Sequence, residues 1–180
     1  MPRTETRKKN KKLIIISIVV LVLLAIFGFV FYAILDHKTE IPKVSETVKI
    51  LDEYKNTDGK QIEIAKLVDD DEVANYFENV VKEKKNFVLY VSLPICNGDA
   101  AKFKEYVREF QRNNSVSFYY LTSDYIKETS VYETVKYYPS VIVYKDGKIV
   151  NYLKYDADED KDYYKSYDGF EKWIKANVEF

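Results

Sequence analysis

The stretch Phe87-Val88-Leu89-Tyr90-Val91-Ser92-Leu93-Pro94-Ile95-Cys96-Asn97-Gly98-Asp99 decides how this 180-residue chain reads. From Asn86 to Leu93 it is a nearly continuous apolar run of strand length, which suits a strand covered on both faces. A helix follows, with Phe103, Tyr106, Val107 and Phe110 on one side. Cys96, the one cysteine of the chain, falls between the two elements.

Working outward, the elements alternate. Gln61 to Leu67 reads as a short strand. Asp69-Asp70-Asp71 supplies N-cap chemistry for a helix carrying Val73, Tyr76, Phe77, Val80 and Val81. Beyond the central stretch, Ser115 to Thr122 is a strand rich in aromatic and β-branched residues, and a helix through Tyr125 to Tyr137 leads to Pro139. Val141 to Tyr144 and Lys148 to Leu153 flank Asp146-Gly147, a two-residue hairpin signal. Phe170, Trp173, Ile174 and Val178 mark a closing amphipathic helix. The order β-α-β-α-β-α-β-β-α predicts an α/β fold: a mixed sheet with parallel early strands, a final antiparallel hairpin and helices on both faces.

The other end of the chain reads differently. Leu13 to Leu35 is a run of 23 residues without a charge, eighteen of them Leu, Ile, Val or Phe. At about 1.5 Å per residue it spans roughly 34 Å, enough for a hydrocarbon core of about 30 Å. A cleaved signal peptide is the rival reading, but its apolar region would be about 7 to 15 residues and would end in a small-x-small site. The exit sequence Phe31-Tyr32-Ala33-Ile34-Leu35-Asp36 offers none. Residues 1–12 carry Arg3, Arg7, Lys8, Lys9, Lys11 and Lys12 against Glu5, so they are expected to stay cytoplasmic. Residues 13–35 are then a single-pass anchor, and the C-terminal domain lies on the extracytoplasmic side of the cell membrane. The tail carries +5 and the whole chain −1, which leaves −6 on the remainder. That mildly acidic remainder argues against nucleic acid as a partner.

Residues 36–60 read as a stalk or juxtamembrane helix, with Val44, Val48, Leu51 and Tyr54 at helical spacing up to the turn at Asp58-Gly59. Residues 61–180 form the expected domain.

Two stretches of that domain resemble the thioredoxin-like family. One is the Phe87–Asp99 segment, where Cys96 falls on the first cysteine of the family's Cys-x-x-Cys and Asp99 on the second. The other is Tyr138-Pro139-Ser140-Val141-Ile142-Val143-Tyr144-Lys145-Asp146-Gly147, which resembles the family's cis-proline, strand and Lys-x-Gly turn. Cys96 and Pro139 are 43 residues apart, as such domains tend to have them. More narrowly, the strand and loop are similar to the membrane-anchored bacteriocin transport accessory proteins of Gram-positive bacteria. The resemblance covers roughly residues 61 to 178. It implies a cis bond between Tyr138 and Pro139. It also implies a peptide groove lined by Tyr138, Pro139 and Ser140 together with Pro94, Ile95, Cys96 and Asp99. The bland alternative is that Pro139 only shapes the sheet.

Asp99 leaves the Cys96-Asn-Gly-Asp99 motif with half of a dithiol site. A dithiol oxidoreductase needs a second thiol to resolve the mixed disulfide, so dithiol activity is not expected, and Cys96 is at most a monothiol centre. Helix N–H groups at the expected helix start would favour its thiolate, whereas Asp99 nearby would not. The alternative, slightly favoured by the missing resolving thiol, is that Cys96 is a small, partly buried thiol without a redox role; a disulfide-linked homodimer is a third outcome. The expected function is an accessory factor handling an exported peptide or protein, the alternative a non-catalytic binding module or subunit of a cell-envelope complex. No cofactor is expected. Asp156, Asp158, Asp160 and Asp162 fail the calcium-loop pattern at Lys161 and Tyr167 and read as a solvated acidic loop. Tyr152, Tyr155, Tyr163, Tyr164 and Tyr167 would make either a contact surface or a cover for the core edges.

Overall fold

Every residue from Phe87 to Ser92 is buried, which is what a strand without a polar face requires. The protein is described by a computed structural model over residues 47–155 and 157–180. Its elements in chain order are β1 (Val48–Lys49), β2 (Ile62–Glu63), α1 (Val73–Lys84), β3 (Phe87–Ser92), α2 (Gly98–Asn114) and β4 (Tyr119–Thr122), then α3 (Ser130–Thr134), β5 (Ser140–Lys145), β6 (Lys148–Tyr152), α4 (Lys161–Lys165), α5 (Tyr167–Asn177) and β7 (Val178–Glu179).

The main sheet has the order β2-β4-β3-β5-β6. β2 and β3 run parallel to β4, while β5 lies antiparallel to both β3 and β6. This is the mixed sheet that the alternation of elements implies, and its strand order fits the thioredoxin-like arrangement. Alternation along β3 sorts its side chains between two layers. Phe87 meets Phe77 of α1 edge to face and stacks on Tyr144. Tyr90, on the opposite face, meets Phe103 of α2, which in turn meets Phe170 of α5. Each fully buried ring of this size contributes about 1.5–3 kcal/mol relative to exposure, so the central strand is clamped from both sides. The β5–β6 turn is Asp146-Gly147, both with positive φ, as a two-residue hairpin of this type demands.

Several expectations are corrected. The helix read over Val44 to Tyr54 is absent from its described part. Val48 lies in β1, which pairs in parallel with β7, and Asp52–Tyr54 is a single 3-10 turn. Val48, Ile50 and Tyr54 are buried in the core, so residues 48–54 belong to the domain and not to a stalk. The helical spacing arises because alternate burial in a strand followed by one tight turn also places apolar residues three or four apart. The strand read over 61–67 is only two residues long before a 3-10 turn at Ile64–Lys66. The helix read through 125–137 contracts to Ser130–Thr134, and α4 has no counterpart among the expected elements. Asp69 opens a 3-10 turn without a side-chain cap bond. The apolar run 13–35 and the basic tail lie outside the described residues. Among the described residues, no helix is long and apolar enough to cross a membrane.

Candidate functional site

Register places the site. Val91 of β3 pairs with Ser140 of β5, so the loop leaving β3 and the residues entering β5 share one end of the sheet. The first contains Pro94, Ile95 and Cys96; the second contains Tyr138 and Pro139, whose peptide bond is cis, as expected. The two stretches singled out from the sequence are therefore neighbours in space.

Around Cys96 the loop is open. Pro94 is exposed and Ile95 is 81 % exposed, while Cys96 itself is half-buried. Its Sγ donates to the Leu93 carbonyl at 3.3 Å. The expected position at the helix start needs correction: α2 begins at Gly98, with Asn97 as its N-cap, so Cys96 lies two residues ahead and is held by the loop. Gly98 has φ +54°, and a Cβ at this position would meet only open space; the turn needs glycine for its backbone conformation and not for room. Asp99 is exposed and pairs with Lys102 at 3.1 Å. That lysine, one turn along the helix, offsets the acid that the loop sequence alone leaves uncompensated.

On the proline side, Tyr138 is half-buried and its hydroxyl donates to the Val135 carbonyl at 2.6 Å. Burial first, then the neighbouring Tyr132 and Tyr152 phenols, push its pKa up to about 12. Pro139 and Ser140 are buried. Ser140 Oγ donates to the Leu153 carbonyl at 2.6 Å, so this side chain faces the interior rather than a groove. The Tyr164 hydroxyl lies 2.9 Å from the Pro139 carbonyl and 2.7 Å from the Leu153 carbonyl; its single proton serves both acceptors. Sequence reasoning places Tyr164 only in a group of late tyrosines. Its role as a support beneath Pro139 depends on α4, of which the sequence carries no sign beyond Tyr163-Tyr164.

Beneath the loop lies a third phenol. Tyr90 is fully buried and its hydroxyl has no hydrogen-bond partner among the described residues. Burial raises its pKa far above the usual tyrosine range; Cys96 is the ionisable neighbour that raises it most, followed by Tyr120. Beside it, the Ser92 and Tyr120 hydroxyls are 2.7 Å apart, and Lys104 Nζ donates to Tyr120 at 3.3 Å.

Other tyrosines near α4 pack along the edge of the core. Tyr155 meets buried Tyr164 edge to face, Tyr106 donates to the Lys165 carbonyl, and the Tyr167 hydroxyl accepts from Asn113. These contacts cover the core edge around α4. Asp160, in the acidic loop, is not simply solvated: Oδ2 accepts from Lys154 N at 2.7 Å, and burial raises its pKa. Among the described residues, no cluster of acidic, histidine or cysteine side chains could hold a metal ion. A separate cleft of about 630 Å³ lies between residues 58–67 and Arg108, Gln111 and Arg112 of α2, far along that helix from Cys96. Of its four cations, Lys60, Lys66 and Arg108 are paired with Asp58, Glu63 and Glu105.

Solved structures of thioredoxins are similar to this chain. Thioredoxin f from spinach chloroplast is 19 % identical, with a TM-score of 0.45, covering 74 % of this chain and 98 % of its own. A mutant thioredoxin from Halobacterium salinarum is 11 % identical, with a TM-score of 0.45, over 69 % and 96 %. Oxidised thioredoxin from Plasmodium falciparum is 16 % identical, with a TM-score of 0.43, over 56 % and 88 %. No protein-family model matches the chain, and no curated protein does. The class defined by the sheet order and the cis-proline is an α/β protein with a thioredoxin-like fold.

Proposed function

We propose that this chain is a single-pass membrane protein whose extracytoplasmic thioredoxin-like domain handles an exported polypeptide, using Cys96 as a lone exchange thiol. The supporting observation is the setting of Cys96: a half-buried sulfur in an open loop, beside an 81 % exposed Ile95. The tether rests on the apolar run 13–35 and its basic flank. Resemblance of the strand and loop to bacteriocin transport accessory proteins suggests a disulfide-containing exported peptide as substrate.

One thiol suffices for exchange. The Cys96 thiolate attacks a sulfur of a substrate disulfide; the Cys96–substrate bond forms as the substrate S–S bond breaks, and the displaced sulfur leaves as a thiolate. A thiolate of the substrate then attacks the mixed disulfide and releases Cys96. Each round conserves the number of disulfides, so the substrate is reshuffled without net oxidation or reduction. In this role the Ile95 side chain and the Tyr138 surface would hold an extended segment against the loop.

The test is mixed-disulfide formation between the full chain and a disulfide-bonded model peptide, read on non-reducing gels. An adduct cleaved by reductant and lost in Cys96→Ser is expected. A chain that forms only Cys96–Cys96 dimers, or no adduct, would contradict the exchange role. Protease added outside intact cells should remove the domain, and a wholly protected chain would refute the tethered orientation.

The second reading, a non-catalytic binding module or envelope-complex subunit, is favoured by Asp99, which stands paired to Lys102 where a resolving thiol would be. It expects cross-linking in membranes to recover the same partner from Cys96→Ser as from the native chain.

A further inference from the structure

Among the described residues, β2 is one edge of the main sheet, with β4 as its neighbour. Ile62 N donates to the Phe118 carbonyl at 2.9 Å. Backbone groups alternate in direction along a strand, so the N–H and C=O of Gln61 and Glu63 turn away from β4, out of the sheet. Gln61, Ile62 and Glu63 all line the cleft of about 630 Å³ that ends against α2. Side chains alternate as well, so three consecutive residues on one cleft place the open edge of the strand along it.

The walls of this cleft hold polar groups that the fold does not use. Gln111 of α2 is fully buried, and its Nε2 donates to the Gly59 carbonyl at 3.5 Å. That bond leaves Oε1 as an acceptor with no partner among the described residues. Gln61 Nε2 is a buried donor in the same condition. Buried amides of this kind cost stability unless something meets them. One donor and one acceptor are also the complement of a peptide group. Gly59 lies so close to α2 that a Cβ would stand 2.6 Å from the Arg112 Cα, so the turn that holds the Gln111 amide is seated directly on the helix.

Charge and apolar surface narrow the class of ligand. Arg112 is the cation of the cleft without an acidic partner among the described residues, since Lys60, Lys66 and Arg108 are already neutralised. Leu67, 53 % exposed, supplies an apolar contact in the same cleft. An open strand edge, spare amides, one spare guanidinium and an exposed leucine suit an extended chain that carries a carboxylate.

We propose that the β2 edge and the cleft beside it bind an extended acidic polypeptide segment as an added strand. Backbone groups of Gln61 and Glu63 form the ladder, and Arg112 pairs with a carboxylate of the segment. This goes beyond the exchange reading, because Gln111 lies roughly 20 Å along α2 from its start at Gly98, and the binding uses no thiol.

The experiment measures fluorescence anisotropy of a labelled peptide of alternating valine and aspartate against the full chain in detergent. A version N-methylated at alternate residues keeps the charge and loses the ladder bonds. A version with lysine for aspartate keeps the ladder and reverses the charge. Saturable binding of the acidic peptide is expected, with both other versions weaker by about tenfold or more. Arg112→Gln should weaken the acidic peptide about threefold and leave the lysine version no weaker. Gln61→Leu should weaken it about fivefold and melt at or above the native temperature, because it removes an unpartnered buried amide. On the native chain, the acidic peptide should slow hydrogen exchange in residues 58–67 and leave the opposite sheet edge, residues 148–152, unchanged. No saturable binding, equal binding of the N-methylated version, displacement by succinate at equal carboxylate concentration, or protection at 148–152 instead would overturn the proposal. Cys96→Ser should bind the peptide as the native chain does, so a failed mixed disulfide and a failed strand addition are separate results.

Discussion

The two ends of β3 are built to opposite specifications. At Phe87 the strand enters a closed aromatic cluster in which Phe77, Tyr119 and Tyr144 surround the ring. The adjoining Asp146-Gly147 turn is fastened by Asp146 N donating to Asn86 Oδ1 and Gly147 N donating to the Lys85 carbonyl. At Ser92 the strand runs into hydroxyls, a half-buried thiol, a cis-proline held from below by Tyr164, and an Ile95 side chain standing in solvent. One end concentrates burial, the other gives up burial to hold polar groups and an exposed apolar contact. The difference teaches where this domain keeps its stability and where the proposed thiol exchange would act without unfolding.

Substitutions can break that contrast from either side. Phe87→Ala should be the most damaging, lowering unfolding free energy by about 3–5 kcal/mol through loss of transfer energy and a cavity, measured by denaturant titration. Tyr164→Phe should come next, at about 1–3 kcal/mol, because it leaves the buried Pro139 carbonyl without a donor. Proteolysis of the 135–140 segment should accelerate in the same variant, whereas proteolysis near the hairpin turn should not.

A pH series offers a smaller and graded effect. Burial raises the pKa of Tyr90, Tyr144 and Tyr164, and that of Tyr138 to about 12. In the unfolded chain these phenols ionise near pH ~10. Above that value the unfolded state has released protons that the folded state keeps, so stability falls as pH rises. For Tyr138 the loss is complete near pH 12. Chemical denaturation across the alkaline range, from about one pH unit below the ordinary phenol value to one above it, should show this decline. Tyr90→Phe with Tyr144→Phe should flatten it. Ile95→Ser should be the mildest, changing stability by under about 0.5 kcal/mol because the side chain is already in water. It should still slow peptide-adduct formation about fivefold, if a contact of roughly 1 kcal/mol is lost.

Much of this arrangement is legible in the sequence. An uninterrupted apolar strand of that length has few other homes than a sheet centre, and Asp-Gly between two apolar runs has few other uses than a hairpin. Resemblance puts Tyr138-Pro139 and Cys96 at one end, and the β3–β5 register agrees. Other features stay hidden because they depend on neighbours remote in sequence. Val48 and Tyr54 look helical until β7 and Tyr119 supply their partners. Ser140 looks like a groove residue until the Leu153 carbonyl draws it inward. Tyr90 looks like any apolar strand position, since nothing in a sequence marks a hydroxyl that will lack a partner.

The most direct test of the open end is the reactivity of Cys96 toward a small aromatic disulfide in the native and the denatured chain. Under native conditions the thiol should react fully, at a rate that does not change when Phe87→Ala lowers stability. Reaction only after denaturation, or a native rate that rises in step with destabilisation, would mean that Cys96 is reached through unfolding and would contradict a reactive end built into the fold.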